Sequence, residues 1–131
     1  RAGKPSRISS NRRRIDGFQF MEIQLIITNL PNRDVALQLA NRLVESGLAA
    51  CVNILAPCTS VYTWQDSLET EEEFPLLIKA VKHNYRAIET EILKIHPYEL
   101  PEIIAVPIAD GLSQYLNWIA AVSSRDSALP I

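Results

Sequence analysis

The sequence predicts an α+β domain in which an antiparallel sheet packs against two helices on one face. Three observations support this class. The chain has 131 residues, of which 47% are hydrophobic, and this suffices for one core. Short runs rich in β-branched residues alternate with two segments of helical period. Two of these runs, in the middle of the chain, are separated by a polar stretch, as in a hairpin.

The first two elements are a strand over residues 22–29 and a helix over residues 33–46. The strand is almost continuously apolar, which favours an interior position with both faces buried. The helix has an apolar face whose residues recur every four positions, namely Val35, Leu39 and Leu43. Gly47 then stands where helices commonly end.

The middle of the chain is predicted to form one long hairpin. Its first arm covers residues 48–62 and is interrupted at Pro57, which cannot donate to a strand ladder and so belongs at a bulge or an edge. Residues 65–73, which include four glutamates, are predicted as a polar turn. The apolar run 74–81 is the second arm.

The second half of the chain adds a helix over residues 84–95, a strand over 102–108 and a short helix over 112–122. The first of these helices ends at His96, because the residue before Pro97 avoids the α region. The order β-α-β-β-α-β, followed by a helix, is typical of the ferredoxin-like arrangement. We therefore expect a single ferredoxin-like domain over residues 21–131.

Residues 1–20 differ from the rest of the chain in charge. They contain six basic residues and one acidic residue, although the whole chain has a formal net charge of −2. We expect a disordered basic extension, a leader or an added tail. The run Arg12-Arg13-Arg14 could bind nucleic acid or an anionic surface, but the net charge of −2 predicts no such partner, and we expect none.

The apolar runs are too short to cross a bilayer, so we expect no association with a membrane. Two cysteines, Cys51 and Cys58, are seven positions apart. This spacing suits neither a zinc site nor a disulfide framework. We expect a reducing, cytoplasmic location.

Common catalytic patterns are missing from the sequence. Outside residues 1–20 the only glycines are Gly47 and Gly111, so there is no glycine-rich phosphate loop. A nucleophilic pair of Cys51 or Cys58 with His83 or His96 is formally possible, but two residues of each type arise easily by composition. We therefore expect no conventional enzyme.

Two residues are candidate metal ligands, Cys51 and His96. Cys51 lies in a run of small apolar residues, where it would either pack as a small hydrophobe or offer a thiolate to a soft metal. His96 opens a loop framed by Pro97 and Pro101 that also carries Tyr98, Glu99 and Glu102. Such a loop could hold a cation. The alternative is a helix end followed by a structural turn.

Glutamates alternate along the hairpin at positions 69, 71 and 73, and would share one face of a strand. Lys79 continues that parity. These charges could bind ions if a cleft or a symmetry axis gathered them, and otherwise form a solvated face. Tyr62 and Trp64 lie near the tip of a hairpin that its own subunit is too small to cover, which favours an oligomer.

Five segments resemble the CutA family in order and spacing, over about Ile23 to Val122. They are Ala49-Ala50-Cys51-Val52-Asn53-Ile54, then Ser60-Val61-Tyr62-Thr63-Trp64, then Glu73 with Lys79, then His96-Pro97-Tyr98 with Pro101-Glu102-Ile103, and Tyr115-Leu116 with Trp118-Ile119. The resemblance implies a ferredoxin-like homotrimer, similar in architecture to PII-type signalling proteins and held together by hairpins and edge strands. It also implies a role in tolerance of divalent metals, copper above all, in the cytoplasm, and no reaction.

In family members assigned a copper site, the resemblance places the ligands at three positions that here hold Ile27, Ile95 and His96. Only His96 can bind a metal, and Cys51 could supply a different ligand. The hypothesis is a trimer that binds a divalent cation or a small ligand in clefts between subunits. Its expected metal ligands are His96 and Cys51, and further cleft contacts are Trp64, Glu73, Lys79, Tyr98 and Glu102. The alternative is a stable trimeric scaffold or PII-like interaction protein without a specific metal site.

Overall fold

The structure, a computed structural model, describes residues 22–125. The expected extension over residues 1–20 lies outside the described residues. Within them, five strands and three α-helices follow the predicted order. The elements are β1 (Ile23–Leu30), α1 (Arg33–Glu45), β2 (Cys51–Ile54), β3 (Cys58–Trp64), β4 (Ser67–Val81), a 3₁₀ turn (Lys82–Asn84), α2 (Tyr85–Ile95), β5 (Ile103–Pro107) and α3 (Ser113–Arg125).

The sheet is antiparallel throughout and has the strand order β2-β4-β1-β5. β3 also pairs with β4, but with its first half, whereas β2 pairs with its second half. β2 and β3 are therefore two parts of one hairpin arm. The predicted interruption at Pro57 is confirmed, since residues 55–57 separate the two strands.

The turn of the hairpin is shorter than the sequence predicts. Residues 65–73 were expected to form a polar turn, but only Gln65 and Asp66 turn the chain, and Ser67 already begins β4. The prediction was wrong because it followed the low strand propensity of glutamate, which favours a turn for this stretch. Pairing with β3 over seven positions overrides that preference.

Two clusters of buried side chains hold the domain together. The larger one lies between the sheet and the helices α1 and α2, and includes Ile26, Leu39, Leu76, Ile78 and Ile92. The smaller one forms where α3 packs on Ile23 and Val81. These two strand residues have the opposite parity to Ile26 and Ile78, so α3 covers the other face of the sheet at one end.

The ends of the helices follow from local chemistry. Asn32 caps α1, because its side-chain oxygen accepts a hydrogen bond from the Val35 amide at 2.9 Å. Gly47, with φ of 79°, ends the same helix in the left-handed region. α2 ends where His96 adopts an extended ψ of 129° before Pro97. The loop that follows is thereby turned back towards the hairpin.

Candidate functional site

A cavity of about 570 Å³ lies between the hairpin and the loop that follows α2. Side chains of β3 and β4 form one wall, and residues 98–102 form the other. Ten residues line it: Ser60, Val61, Tyr62, Trp64, Glu71, Glu73, Tyr98, Glu99, Leu100 and Glu102. Four of them are glutamates, and no lysine, arginine or histidine is among these described lining residues.

Strand register explains why the hairpin wall is both aromatic and acidic. In the antiparallel pair, Ser60 lies opposite Glu71 and Tyr62 lies opposite Glu69, while Trp64 lies opposite Ser67. Side chains directly opposite each other share a face of the sheet, as do residues two apart along a strand. The alternating glutamates of β4 and the aromatic residues of β3 are therefore presented together.

Glu73 is the most deeply placed carboxylate of the cavity. Its exposed fraction is only 7%, while Glu71, Glu99 and Glu102 are exposed. Burial of a carboxylate is costly unless partners stabilise it. The phenol of Tyr98, on the opposite wall, is close enough for Glu73 to raise its pKa.

The four glutamates that line the cavity make its electrostatic potential negative, and the nearby tyrosines respond to that charge as well as to burial. Burial, followed by the charge and hydrogen bonding of Glu73, raises the pKa of Tyr98 to about 12. The pKa of Tyr62 is also raised, first by desolvation and then by the neighbouring carboxylates of Glu71, Glu69 and Glu73. A phenol resists ionisation where negative charge already accumulates. The same field attracts a cation.

His96 is 8% exposed, and both nitrogens of its ring contact backbone atoms. Nε2–H donates to the carbonyl oxygen of Asn29 at 2.6 Å, and Nδ1 accepts from the amide of Tyr98 at 3.2 Å. This assignment of the tautomer follows from the partners, since a carbonyl only accepts and an amide only donates. His96 thus orients the cavity loop and does not line the cavity.

Lys79 lies in the second half of β4, away from the cavity, and Cys51 lies beside it on β2. Cys51 pairs with Lys79 across the strands, and its sulfur is 3.9 Å from the ammonium group. Lys79 also donates a hydrogen bond to the side chain of Asn53. Lys79 was expected as a cleft contact, yet it is not among the residues that line the cavity.

The structure does not bring Cys51 and His96 together. His96 reaches Asn29, which lies opposite Pro75, whereas Cys51 lies opposite Lys79. Pro75 and Lys79 are four residues apart on β4, which corresponds to roughly 13 Å along the strand. Within residues 22–125 no group of three or more histidine, cysteine, aspartate or glutamate side chains has the geometry to hold a metal ion. The assignment of His96 and Cys51 as metal ligands stays a prediction.

Four of the residues singled out from the sequence do meet in the cavity, namely Trp64, Glu73, Tyr98 and Glu102. Sequence reasoning did not name Ser60, Val61 and Leu100 as candidates, and it left Tyr62, Glu71 and Glu99 out of the expected cleft contacts. The period-two alternation of the hairpin, which already placed Glu71 on the face of Glu73, could also have identified Tyr62, because Tyr62 shares parity with Trp64. Leu100 carries no comparable signal.

None of the helices within residues 22–125 is both long and apolar enough to cross a membrane.

Comparison with known proteins shows the same family over most of the chain. The family model described as CutA1 divalent ion tolerance protein matches residues 24–122. The divalent-cation tolerance protein CutA of Thermus thermophilus is 40% identical over 96 residues, which are 73% of this chain and 93% of that protein. Protein CutA of Mus musculus is 38% identical over 104 residues, which are 76% of this chain and 59% of the mouse protein.

Solved structures agree with these sequence relationships. The divalent cation tolerance protein CutA1 of Thermus thermophilus superposes with a TM-score of 0.76 and 38% identity, covering 77% of this chain and 98% of the other. CutA1 of the psychrotrophic bacterium Shewanella sp. SIB1 gives the same TM-score of 0.76, with 43% identity, and covers 79% and 96% of the two chains. The match to the family model, the sequence identities and the similarity in fold agree, and the chain belongs to the CutA1 family of divalent ion tolerance proteins.

Proposed function

We propose that the chain acts as a homotrimeric divalent-cation response protein that binds its cation in the acidic cleft beside the hairpin. The observation that carries the proposal is the buried carboxylate of Glu73 in a cavity whose other charged residues are also glutamates. Glu71 and Glu73 would offer carboxylate oxygens, and a neighbouring subunit would supply the further ligands that residues 22–125 of one subunit do not bring together. The names of the relatives, which refer to divalent cations, support the cation as ligand.

The trimer is supported by unpaired edges and by an apolar face of the sheet. Leu25, Ile27, Ile104 and Val106 share the face opposite to α1 and α2, and the last two are 49% and 43% exposed. β5 ends the sheet on one side, and β3 extends beyond the layered core. Edges and apolar faces of this kind are normally covered by other chains.

The metal expected from oxygen ligands differs from the one expected from the sequence. Carboxylate oxygens suit Mn²⁺ or Mg²⁺, while the copper predicted at His96 and Cys51 calls for imidazole and thiolate. We place Mn²⁺-like cations in the cleft. Copper at His96 and Cys51 would require the ring to exchange a backbone hydrogen bond for the metal.

Calorimetric titration of the purified protein with Mn²⁺ and with Cu²⁺ tests both assignments. Glu73→Gln should weaken Mn²⁺ binding more than tenfold, since it removes the buried negative charge. Glu72→Gln is the matched control, because Glu72 is exposed and lies on the opposite face of β4. Equal Mn²⁺ affinity in the two variants would overturn the cleft site. Loss of Cu²⁺ binding in His96→Gln and Cys51→Ser would support the copper assignment instead.

No catalytic step is part of the proposal. Cys51 has Lys79 as its polar neighbour and Cys58 approaches Ser60 at 3.8 Å, so both thiols have partners other than histidine. Both cysteines are free, which suits the reducing cytoplasm that we propose as the location.

A second candidate function is a stable trimeric scaffold without a specific metal site. A stripe of exposed apolar side chains at the start of α3 favours it, formed by Leu112, the residue before the helix, at 69% exposure, Tyr115 at 40% and Trp118 at 44%. The rings of Tyr115 and Trp118 stack at 5.6 Å. A trimer that binds neither Mn²⁺ nor Cu²⁺ in the titrations above would support this alternative.

A further inference from the structure

The cavity is larger and more aromatic than an inorganic cation requires. Its volume of about 570 Å³ falls in the range of sites for organic ligands, which is roughly 300–1,000 Å³. A dehydrated metal ion would fill a small part of it. Five of the ten lining residues are aromatic or aliphatic: Val61, Tyr62, Trp64, Tyr98 and Leu100. An alkyl group could pack against them.

The aromatic rings and the carboxylates occupy both walls of the cavity. Tyr62 and Trp64 come from β3 and Tyr98 from the opposite loop, while Glu71 and Glu73 face Glu99 and Glu102 in the same way. A ring face attracts an ammonium group through its quadrupole, and a carboxylate does so through its charge. Both attractions therefore act on a ligand that carries charges at more than one point.

We propose that the cleft binds an aliphatic polyamine, with its ammonium groups on the carboxylates of the two walls and its methylene chain against Trp64, Tyr62 and Leu100. Primary and secondary amines donate several hydrogen bonds, which the acceptor-only carboxylates need. The methylene segments remove apolar surface from water, which a compact inorganic ion cannot do. This inference rests on the proposed use of the cleft for cations and names a second class of cation for it.

Spermidine is the probe, and hexaamminecobalt(III) is its matched control because both carry three positive charges but only spermidine has an alkyl chain. Calorimetric titration of the full chain at fixed ionic strength should give tighter binding for spermidine. Equal affinities would show that charge alone attracts the ligand and would overturn the proposal.

Two pairs of variants separate the contribution of the carboxylates from that of the aromatic rings. Glu73→Gln should weaken spermidine binding about tenfold, while the exposed Glu72→Gln should leave it unchanged. Trp64→Leu should weaken it about fivefold through the lost cation–π and stacking contact. Trp118→Leu, at the other tryptophan and outside the cavity, should have no effect. Unchanged spermidine affinity in Trp64→Leu would contradict the proposed binding mode.

If Glu73→Gln unfolds the chain, Glu71→Gln replaces it in the test, because Glu71 is exposed on the same wall and should also weaken spermidine binding when neutralised. Mn²⁺ titration of the same variants distinguishes this inference from the proposed function. Trp64→Leu should retain full Mn²⁺ affinity. Mn²⁺ binding without spermidine binding to the wild-type chain would overturn the polyamine site alone. The reverse result would overturn the metal site and support the polyamine site.

Discussion

The ring of His96 is held by Asn29 and Tyr98 in a neutral form that leaves no free nitrogen. Sequence reasoning recognised that a histidine before Pro97 ends a helix. It could not decide between a ligand and a structural turn, since the deciding contact is made with Asn29, which is 67 positions away in the chain. A long-range backbone partner leaves no local pattern.

Acid should therefore destabilise the fold through His96. Burial lowers its pKa, although the hydrogen bond to Asn29 and the charge of Glu73 oppose this shift. The unfolded chain then binds a proton more readily than the folded one, so the free energy of unfolding falls as the pH drops below about 6.5. Urea unfolding between pH 8 and pH 5, at intervals of about half a unit, measures the slope.

His96→Gln should flatten that slope, and should lower the free energy of unfolding at neutral pH by about 1–3 kcal/mol because buried partners are left unpaired. His83→Gln is the control, since His83 is exposed in the 3₁₀ turn. Parallel pH profiles for the wild type and His96→Gln would show that His96 is not the titrating group.

Tyr98 reports the negative charge of the cleft. Because its pKa is raised to about 12, Tyr98 should ionise at a higher pH than an ordinary tyrosine, whose pKa is near 10. Glu73→Gln removes a neighbouring negative charge and should move the pKa of Tyr98 downwards. The difference in tyrosinate absorbance between each protein and its Tyr98→Phe derivative isolates this group. Glu72→Gln should leave the titration unchanged, and an equal shift in both variants would argue against a specific contact with Glu73.

At the scale of elements, the hairpin turn shows where local sequence and observed structure differ. Gln65 and Asp66 have φ values of 51° and 67°, in the left-handed region that favours glycine. Among two-residue hairpin turns, type I′ needs such angles at both positions. The turn keeps them because seven cross-strand pairs between β3 and β4 fix its ends.

Asp66→Gly should therefore stabilise the protein. Relief of the left-handed conformation outweighs the greater freedom of glycine in the unfolded chain, for a net gain of about 0.5–1 kcal/mol. Chemical denaturation measures the difference. Ser67→Gly, one position further and inside β4, should destabilise instead. A loss of stability in Asp66→Gly would show that the aspartate side chain makes a contact worth more than the strain.

At the scale of the whole molecule, the element order and the α+β class followed from periodicity, because the apolar faces of α1, α2 and the strands all serve one core. The cavity was only partly predictable. Parity places Trp64 and Glu73 on one face of the hairpin, but the approach of residues 98–102 depends on how α2 ends and how His96 docks. The position of Lys79 outside the cavity likewise depends on the length of β4.

The apolar face of the sheet allows a direct test of the predicted trimer. Ile104 and Val106 lie on β5 opposite Ile27 and Leu25, on the face that α1 and α2 leave uncovered. Both are more than two-fifths exposed, so lysine at these positions should be tolerated by the isolated subunit. In an oligomer that buries this face, two unpaired ammonium groups would be costly.

We expect Ile104→Lys with Val106→Lys to give a folded monomer of 14.7 kDa in sedimentation equilibrium, whereas the wild type should have about three times that mass. Leu93→Lys, at a 54% exposed position of α2, should leave the trimer intact. A wild-type chain that sediments as a monomer would refute the trimer, and a double variant that remains trimeric would move the interface to the hairpins and the strand edges.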